Sequence, residues 1–257
     1  MQVHIHTLTW NEEIMVPFFL RHYDSFVDKI FINDNESDDR TIELLTQNPK
    51  VEVSTFKTEG QHKSRILTDI RRNCWKKSKG EADYVIVCDF DEFLYHPNIK
   101  EFLEEAKKLE VDIFQPDGYE MIADPDADVP SSDEDLKDAI PYGWRADNYS
   151  KLILFNPNAV REMNYAHGSH EEFRDEPIIT EEAGKMLNGL IKPEGLKLLH
   201  YKDLSLDYKW KRTQMIANRY SDDNRQYNLG IHYLRSYDVV KEKYMNNWDN
   251  KKELVVQ

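Results

Sequence analysis

Asp89 and Asp91 stand two residues apart at the end of the apolar run in "YVIVCDFDEF" (84–93). In an extended strand, residues two apart share a face, so both carboxylates can leave the strand on one side while Phe90 turns into the packing. Two carboxylates so placed can hold a hard divalent cation, Mn²⁺ or Mg²⁺, directly or through water. The same residues also read as a solvated acidic turn. His200 ends a second apolar run, "LKLL" (196–199), and should project from a strand tip as Asp91 does. An imidazole beside carboxylate oxygens suits Mn²⁺ as well as Mg²⁺; the alternative is a satisfied buried histidine. In "HGSHEEF" (167–173), His170 and Glu171 follow a Gly-Ser turn, without the spacing or cysteines of a structural zinc site.

The elements that must position these groups alternate in type. Strand patterns at 3–10, 28–34, 51–56 and 83–90 are separated by helical patterns at 11–26, 38–47 and 64–78, and a helix over 98–109 leads to a strand at 111–115. Such alternation predicts an α/β fold with a largely parallel, doubly wound sheet flanked by helices, whose ligands sit outside the carboxyl ends of the strands. Within this scheme the helix at 11–26 opens on Asn11, with Pro17 kinking it or setting its first turn, and Asp39 caps the next helix. His4 and His6 alternate on one strand face and read as packed. Residues 117–148, rich in Asp, Pro and Ser, are too long for an ordinary connection and suggest a mobile lid or a substrate-side loop, with Tyr142, Trp144 and Tyr149 at its end as flat faces for a ligand or as packing. Strands at 150–157 and 196–201 and a helical stretch from Leu206 complete the pattern.

Composition narrows the partners. The 257 residues are 40% hydrophobic, carry a net charge of −14, and set the default at one domain. A field of that sign argues against nucleic acid, and it makes an anionic small substrate depend on a cation or on local basic groups. Cys74 and Cys88 show no framework spacing, which fits a reducing compartment. No apolar stretch approaches about 18 residues, so no transmembrane segment is expected, and the N-terminus lacks a signal-peptide pattern. The expectation is a cytoplasmic protein.

Seven segments in order, "LTWNEE" (8–13), "DNESDDRT" (34–41), "RILTDIRRNCWKKSKGEADY" (65–84), "DFDEF" (89–93), "SKLILFNP" (150–157), "HGSHE" (167–171) and "LLHYKDLS" (198–205), resemble the family-two glycosyltransferases and their GT-A-fold relatives, in particular bacterial-type members with DxDEF. The resemblance implies a single GT-A domain over 1–257. Residues 1–115 would be the nucleotide-sugar-binding half, and 116–257 an acceptor-side half with C-terminal helices. It implies metal-dependent transfer of a sugar from a nucleotide-sugar donor, a UDP-sugar, to a glycan or glycoconjugate acceptor, with inversion. Thr9 and Trp10 would approach the base and ribose. Asp34 would accept from a pyrimidine N3–H, favouring uracil; by its own chemistry it can equally close an Asx-turn. At Glu36 the chain departs from the family's usual Gly. Lys63 and Arg65 would lie near the donor phosphates at a helix N-terminus, or else are solvated surface charges. Asp91 would bind the metal, Asp89 the ribose or a metal-bound water, His200 the metal, and His170 the phosphate or sugar hydroxyls. Glu171, next to that turn, is the carboxylate favoured as catalytic base.

Two other functions are compatible with DxD after a parallel strand. A phosphohydrolase of the haloacid-dehalogenase type would use the first Asp as nucleophile, although Glu92 and Phe93 replace its usual DxDxT and three strands precede it. A non-catalytic nucleotide-sugar or glycan-binding module would bind without turnover.

Overall fold

A computed structural model of the chain describes residues 1–169, 179–181 and 190–256. The first half lays down β1 (Val3–Thr9), α1 (Val16–Asp24), β2 (Lys29–Asp34), α2 (Thr41–Leu45), β3 (Val51–Thr55), α3 (Ser64–Asn73), β4 (Tyr84–Asp89), β5 (Glu92–Tyr95), α4 (Ile99–Lys108) and β6 (Ile113–Phe114). Beyond it lie β7 (Asp117–Ile122), the one-turn α5 (Leu136–Ala139), β8 (Tyr142–Arg145), β9 (Leu154–Phe155), β10 (Val160–Met163), β11 (Ile179–Glu181), β12 (Leu190–Ile191) and β13 (Lys197–Asp203). Helices α6 (Leu206–Asn218), α7 (Asp222–Gln226) and α8 (Tyr237–Lys251) and the short β14 (Glu253–Leu254) follow.

Among the described residues the larger sheet has seven strands in the order β12-β6-β9-β4-β1-β2-β3. All neighbours are parallel except β9, which runs antiparallel to β4 and β6. The expected α/β architecture with a largely parallel sheet is present. Its central strands β1 and β4 are buried on both faces; β4 does so as a near-continuous apolar run, whereas β1 buries two histidines and two threonines among its apolar residues. His4 and His6 are packed, as expected. His4 Nδ1 and His6 Nε2 each lie 2.8 Å from Ser78 Oγ, and the His6 ring stacks on Phe31. Both cysteines are free thiols. Among the described residues no helix is long and apolar enough to cross a membrane.

Three expectations need correction. Helix α1 starts at Val16 rather than Asn11, because Pro17 falls in its first turn, where a missing N–H costs nothing. Asn11 instead sits at φ 51 and ties its side chain to Asp38. Helix α2 is only five residues long, though Asp39 Oδ1 does accept from Thr41 N at its start (2.9 Å). Residues 92–95 form a further strand, β5. The stretch 117–148 is not a continuous lid, since β7 and β8 flank an irregular 123–135 in a second sheet of order β14-β8-β7-β13-β5. Gly118 is what lets the chain double back there: a Cβ on it would lie 2.2 Å from the Tyr149 carbonyl carbon.

At the site the chain passes from one sheet to the other. Strand β4 ends at Asp89 and β5 begins at Glu92, so Phe90 and Asp91 form the inter-sheet link there. Phe90 stacks on Phe19 of α1 with ring centroids 4.3 Å apart. From the same helix, the Tyr23 hydroxyl donates to Glu92 O (2.7 Å) and accepts from Leu94 N (2.9 Å). His22 of α1 is mostly covered. It packs on Tyr23, Phe26 and Phe93 and donates from Nε2 to Leu94 O (2.8 Å).

Burial lowers the His22 pKa to about 4, although the Leu94 carbonyl pulls the other way. An unfolded chain takes up this proton near pH 6.5 and the folded one does not. Folded stability is therefore full above pH 6.5 and declines as pH falls toward 4. The variant His22→Gln keeps a donor without titrating, and urea unfolding at pH 7, 5.5 and 4.5 should show a shallower loss of stability than in the parent protein.

Candidate active site

The carboxyl ends of three adjacent parallel strands put the sequence-derived residues side by side. In register, Leu8 faces Asp89 and Thr9 faces Asp34. A cleft of about 400 Å³ opens there, lined by Thr9, Trp10, Asn35, Asp89, Asp91 and His200 among others. Strand β13 runs antiparallel to β5 with His200 opposite Glu92, which carries the His200 imidazole to the inter-sheet link. Its Nε2 lies 3.2 Å from Asp91 Oδ2. Tyr149 lies against the other side of the His200 ring, centroids 4.4 Å apart.

Asp89 is gripped rather than open. Its Oδ1 accepts from both Nε (3.0 Å) and Nη2 of Arg71 on α3, and its backbone N–H donates to Glu92 Oε2 (3.0 Å). Burial alone would raise its pKa, but Arg71, Lys151 and His200 outweigh that and hold it well below the usual carboxylate range. Burial likewise opposes ionisation of Asp91, and His200 overcomes it to lower the pKa. Both carboxylates are charged at neutral pH. Glu12 behaves oppositely: it pairs with Arg212 of α6, yet burial, helped by Asp91, Asp39 and Asp89, pushes its pKa up to about 8.

The cleft wall includes residues the sequence patterns did not single out. Arg212 Nη1 donates to Asn11 O (2.8 Å), and Arg219, one helical face further along, lies over the Trp10 ring 3.8 Å from its centroid. Arg219 Nη2 also donates to Asn35 Oδ1 (2.7 Å). Arg212 on α6 and Arg219 at its C-cap, seven residues apart, both face the cleft, a signal present in the sequence but shared by any polar helix stripe. Lys151 is the least expected. Its ammonium, 2% exposed, pairs with the fully buried carboxylate of Glu92.

Other sequence-derived positions sit elsewhere. Asp34 is engaged in the turn alternative, accepting from Ser37 Oγ (2.6 Å) and Ser37 N, while its neighbour Asn35 lines the cleft. Glu36 takes φ 57, the left-handed conformation natural to glycine. Lys63 pairs with Glu59 (2.6 Å) and Arg65 with Asp223 (3.9 Å), and it is Ser64 and Leu67 that reach the cleft. His170 and Glu171 lie outside the described residues.

As a cation site, the described residues offer a pair rather than a cage: no three His, Cys, Asp or Glu side chains among them converge as a metal-holding group. The Asp91–His200 separation nevertheless suits shared ligation, since two ligands at right angles about 2.1 Å from one ion lie about 3 Å apart. Thr9 Oγ1, buried in the cleft wall, has no hydrogen-bond partner among the described residues, and a bound ligand is one way to satisfy such an atom.

No protein-family model matches the chain and no curated protein matches it in sequence. Among solved structures it is similar to S. aureus TarS (TM-score 0.45, 12% identity, 98% of this chain and 44% of that one). It is also similar to TarS 1–349 in complex with UDP (0.45, 12%, 96% and 71%) and with UDP-GlcNAc (0.41, 10%, 98% and 74%). The chain thus spans less than half the length of the first of these. Overlaps this loose leave the chemistry to the residues themselves.

The Lys151–Glu92 pair yields a direct test. Removing one partner of a buried ion pair strands the other charge at a cost of about 3–5 kcal/mol, whereas removing both restores much of it. Lys151→Met should lose stability on that scale in urea unfolding, and Lys151→Met with Glu92→Gln should recover a large part. Equal losses in the single and double variants would show that the two groups are not coupled.

Proposed function

We propose that the chain is a GT-A-fold glycosyltransferase that moves a sugar from a UDP-sugar to a glycan or glycoconjugate acceptor with the help of Mn²⁺ or Mg²⁺. The observation that carries this reading is the Asp91–His200 pair, set in a cleft at the strand ends and backed by three arginines. Trp10, with Arg219 over its ring, offers a flat cationic platform for a nucleobase, and Thr9 an unsatisfied hydroxyl for base or ribose. Asp91 and His200 would hold the ion, and Asp89 would act by fixing Arg71 beside the diphosphate. The cation, when bound, draws charge from the departing diphosphate and so favours the transition state over the ground state.

The acceptor hydroxyl forms its bond to the anomeric carbon as the bond to the phosphate oxygen breaks, and the electron pair leaves with the UDP. Its proton goes to a carboxylate on the acceptor side, for which Glu171 is our assignment from sequence. Displacement of this kind inverts the anomeric centre. The rival hydrolase reading is disfavoured because its nucleophile, Asp89, is held by Arg71 at Oδ1.

With UDP-sugars screened as donors, Asp91→Asn should reduce turnover by on the order of 10²-fold or more, and His200→Ala should raise the Mn²⁺ concentration needed for half-maximal rate. Full activity of the parent protein in excess chelator would remove the metal from the mechanism, and metal-dependent UDP binding without any turnover would favour a binding module.

Glu171→Gln separates the base from the binding site. It should lower kcat by on the order of 10²-fold while leaving UDP affinity within about twofold, measured by product formation and by calorimetry on the same preparation. Near-normal kcat, or a product that retains the donor's configuration, would eliminate Glu171.

A further inference from the structure

A second cavity, of about 460 Å³, adjoins the cleft and shares Glu12, Asp91, Tyr149, His200 and Arg212 with it. Its remaining walls come from β7, β13, α6 and the chain around α8, and they bring in Lys202, Lys209, Arg235 and Lys243 against Glu120 and Asp203. Lys202 is matched by Glu120 (2.5 Å) and Lys209 by Asp203 (2.6 Å). Arg235 and Lys243 are exposed and pair with no carboxylate among the described residues. A chain of net charge −14 therefore carries a local surplus of positive charge beside its reacting centre.

Two neighbouring groups register that surplus. Burial, then Lys202, Arg235, Lys243 and Lys209, bring the His232 pKa down to about 4. Lys243 itself is lowered, first by burial and then by Lys202, Lys209 and Arg235, with Glu120 pulling the other way. Cations crowded into a concavity repel one another until an anion enters, and such a concavity attracts and orients anionic groups.

We propose that this second cavity is a subsite for an anionic group, a phosphate or carboxylate, carried by the molecule that receives the sugar or by the sugar itself, with Arg235 and Lys243 as its determinants. The inference deepens the transferase reading and rests on it for the identity of the two substrates. It adds a selection rule: the cavity favours a charged substrate over its neutral counterpart.

Inorganic phosphate serves as the probe, titrated calorimetrically into the full chain with the donor cleft filled by UDP and Mn²⁺. The parent protein should bind phosphate, and Arg235→Glu/Lys243→Glu should bind it at least about tenfold more weakly, as reversing two nearby charges requires. UDP affinity measured on the same variant reports that it is folded. Equal phosphate affinity in both proteins, or none in the parent while UDP is bound, would overturn the subsite. If UDP itself fails to bind, the transferase reading fails, and the phosphate titration on the UDP-free proteins still decides the subsite. UDP-glucuronate and UDP-glucose then distinguish the sources: tighter binding of the uronate that the double variant loses puts the anion on the donor sugar, and indifference puts it on the acceptor.

Discussion

A carboxylate that no water reaches governs this molecule. Glu92 is completely buried, and every bond it makes fixes the short link between the two sheets. One oxygen receives Lys151 and the other the Asp89 N–H, while its backbone carbonyl receives the Tyr23 hydroxyl. Two charges withdrawn from water rarely return their desolvation cost as net stability. What this pair supplies is geometry. With Glu92 pinned, Asp91 has one way to leave the link, and β13, paired to β5 in register, delivers His200 beside it.

Positive charge at the cleft is preassembled in a chain that is acidic overall. Arg71 and Lys151 each have a carboxylate partner, Asp89 and Glu92, and Arg212 pairs with the Glu12 carboxyl group and the Asn11 carbonyl, so they can be buried near one another without unfolding the site. An anionic ligand can then exchange water for fixed guanidinium and ammonium groups that need little reorganisation. Arg219 is the exception: burial lowers its pKa, and it shares its charge with the Trp10 ring and the Asn35 amide oxygen.

The parallel half of the fold was legible in the sequence because buried strands and amphipathic helices alternate there with clear periods. The second sheet was not. In "DEFLY" the acids read as the end of a strand, and only the distant Lys151 makes a buried Glu92 tolerable. The turn-forming Asp and Pro residues of 124–130 masked the flanking strands β7 and β8. At the site, the Asp91–His200 meeting could be anticipated, since both residues end apolar runs. The arginines of α3 and α6 could not, because a polar helix stripe says nothing of whether it faces solvent or a cleft. Nor did the sequence show that Lys63 and Arg65 have acids beside them, Glu59 and Asp223, with which they pair.

The way α6 closes over β1 and β2 has a consequence for biosynthesis. Arg212 reaches back 201 residues to Asn11, and Arg219 reaches back 184 to Asn35. On a ribosome, the parallel strands emerge first and can pair while the wall that completes their cleft has yet to be made. Contacts of such long sequence separation form late, after the entropy of closing the intervening loop has been met. The nascent chain therefore holds Thr9 and Trp10 in an open groove with no arginine over them. Only once α6 has been translated and docked is the groove roofed, so the ligand pocket matures at the end of folding and a chain stalled before residue 206 would carry the sheet without it.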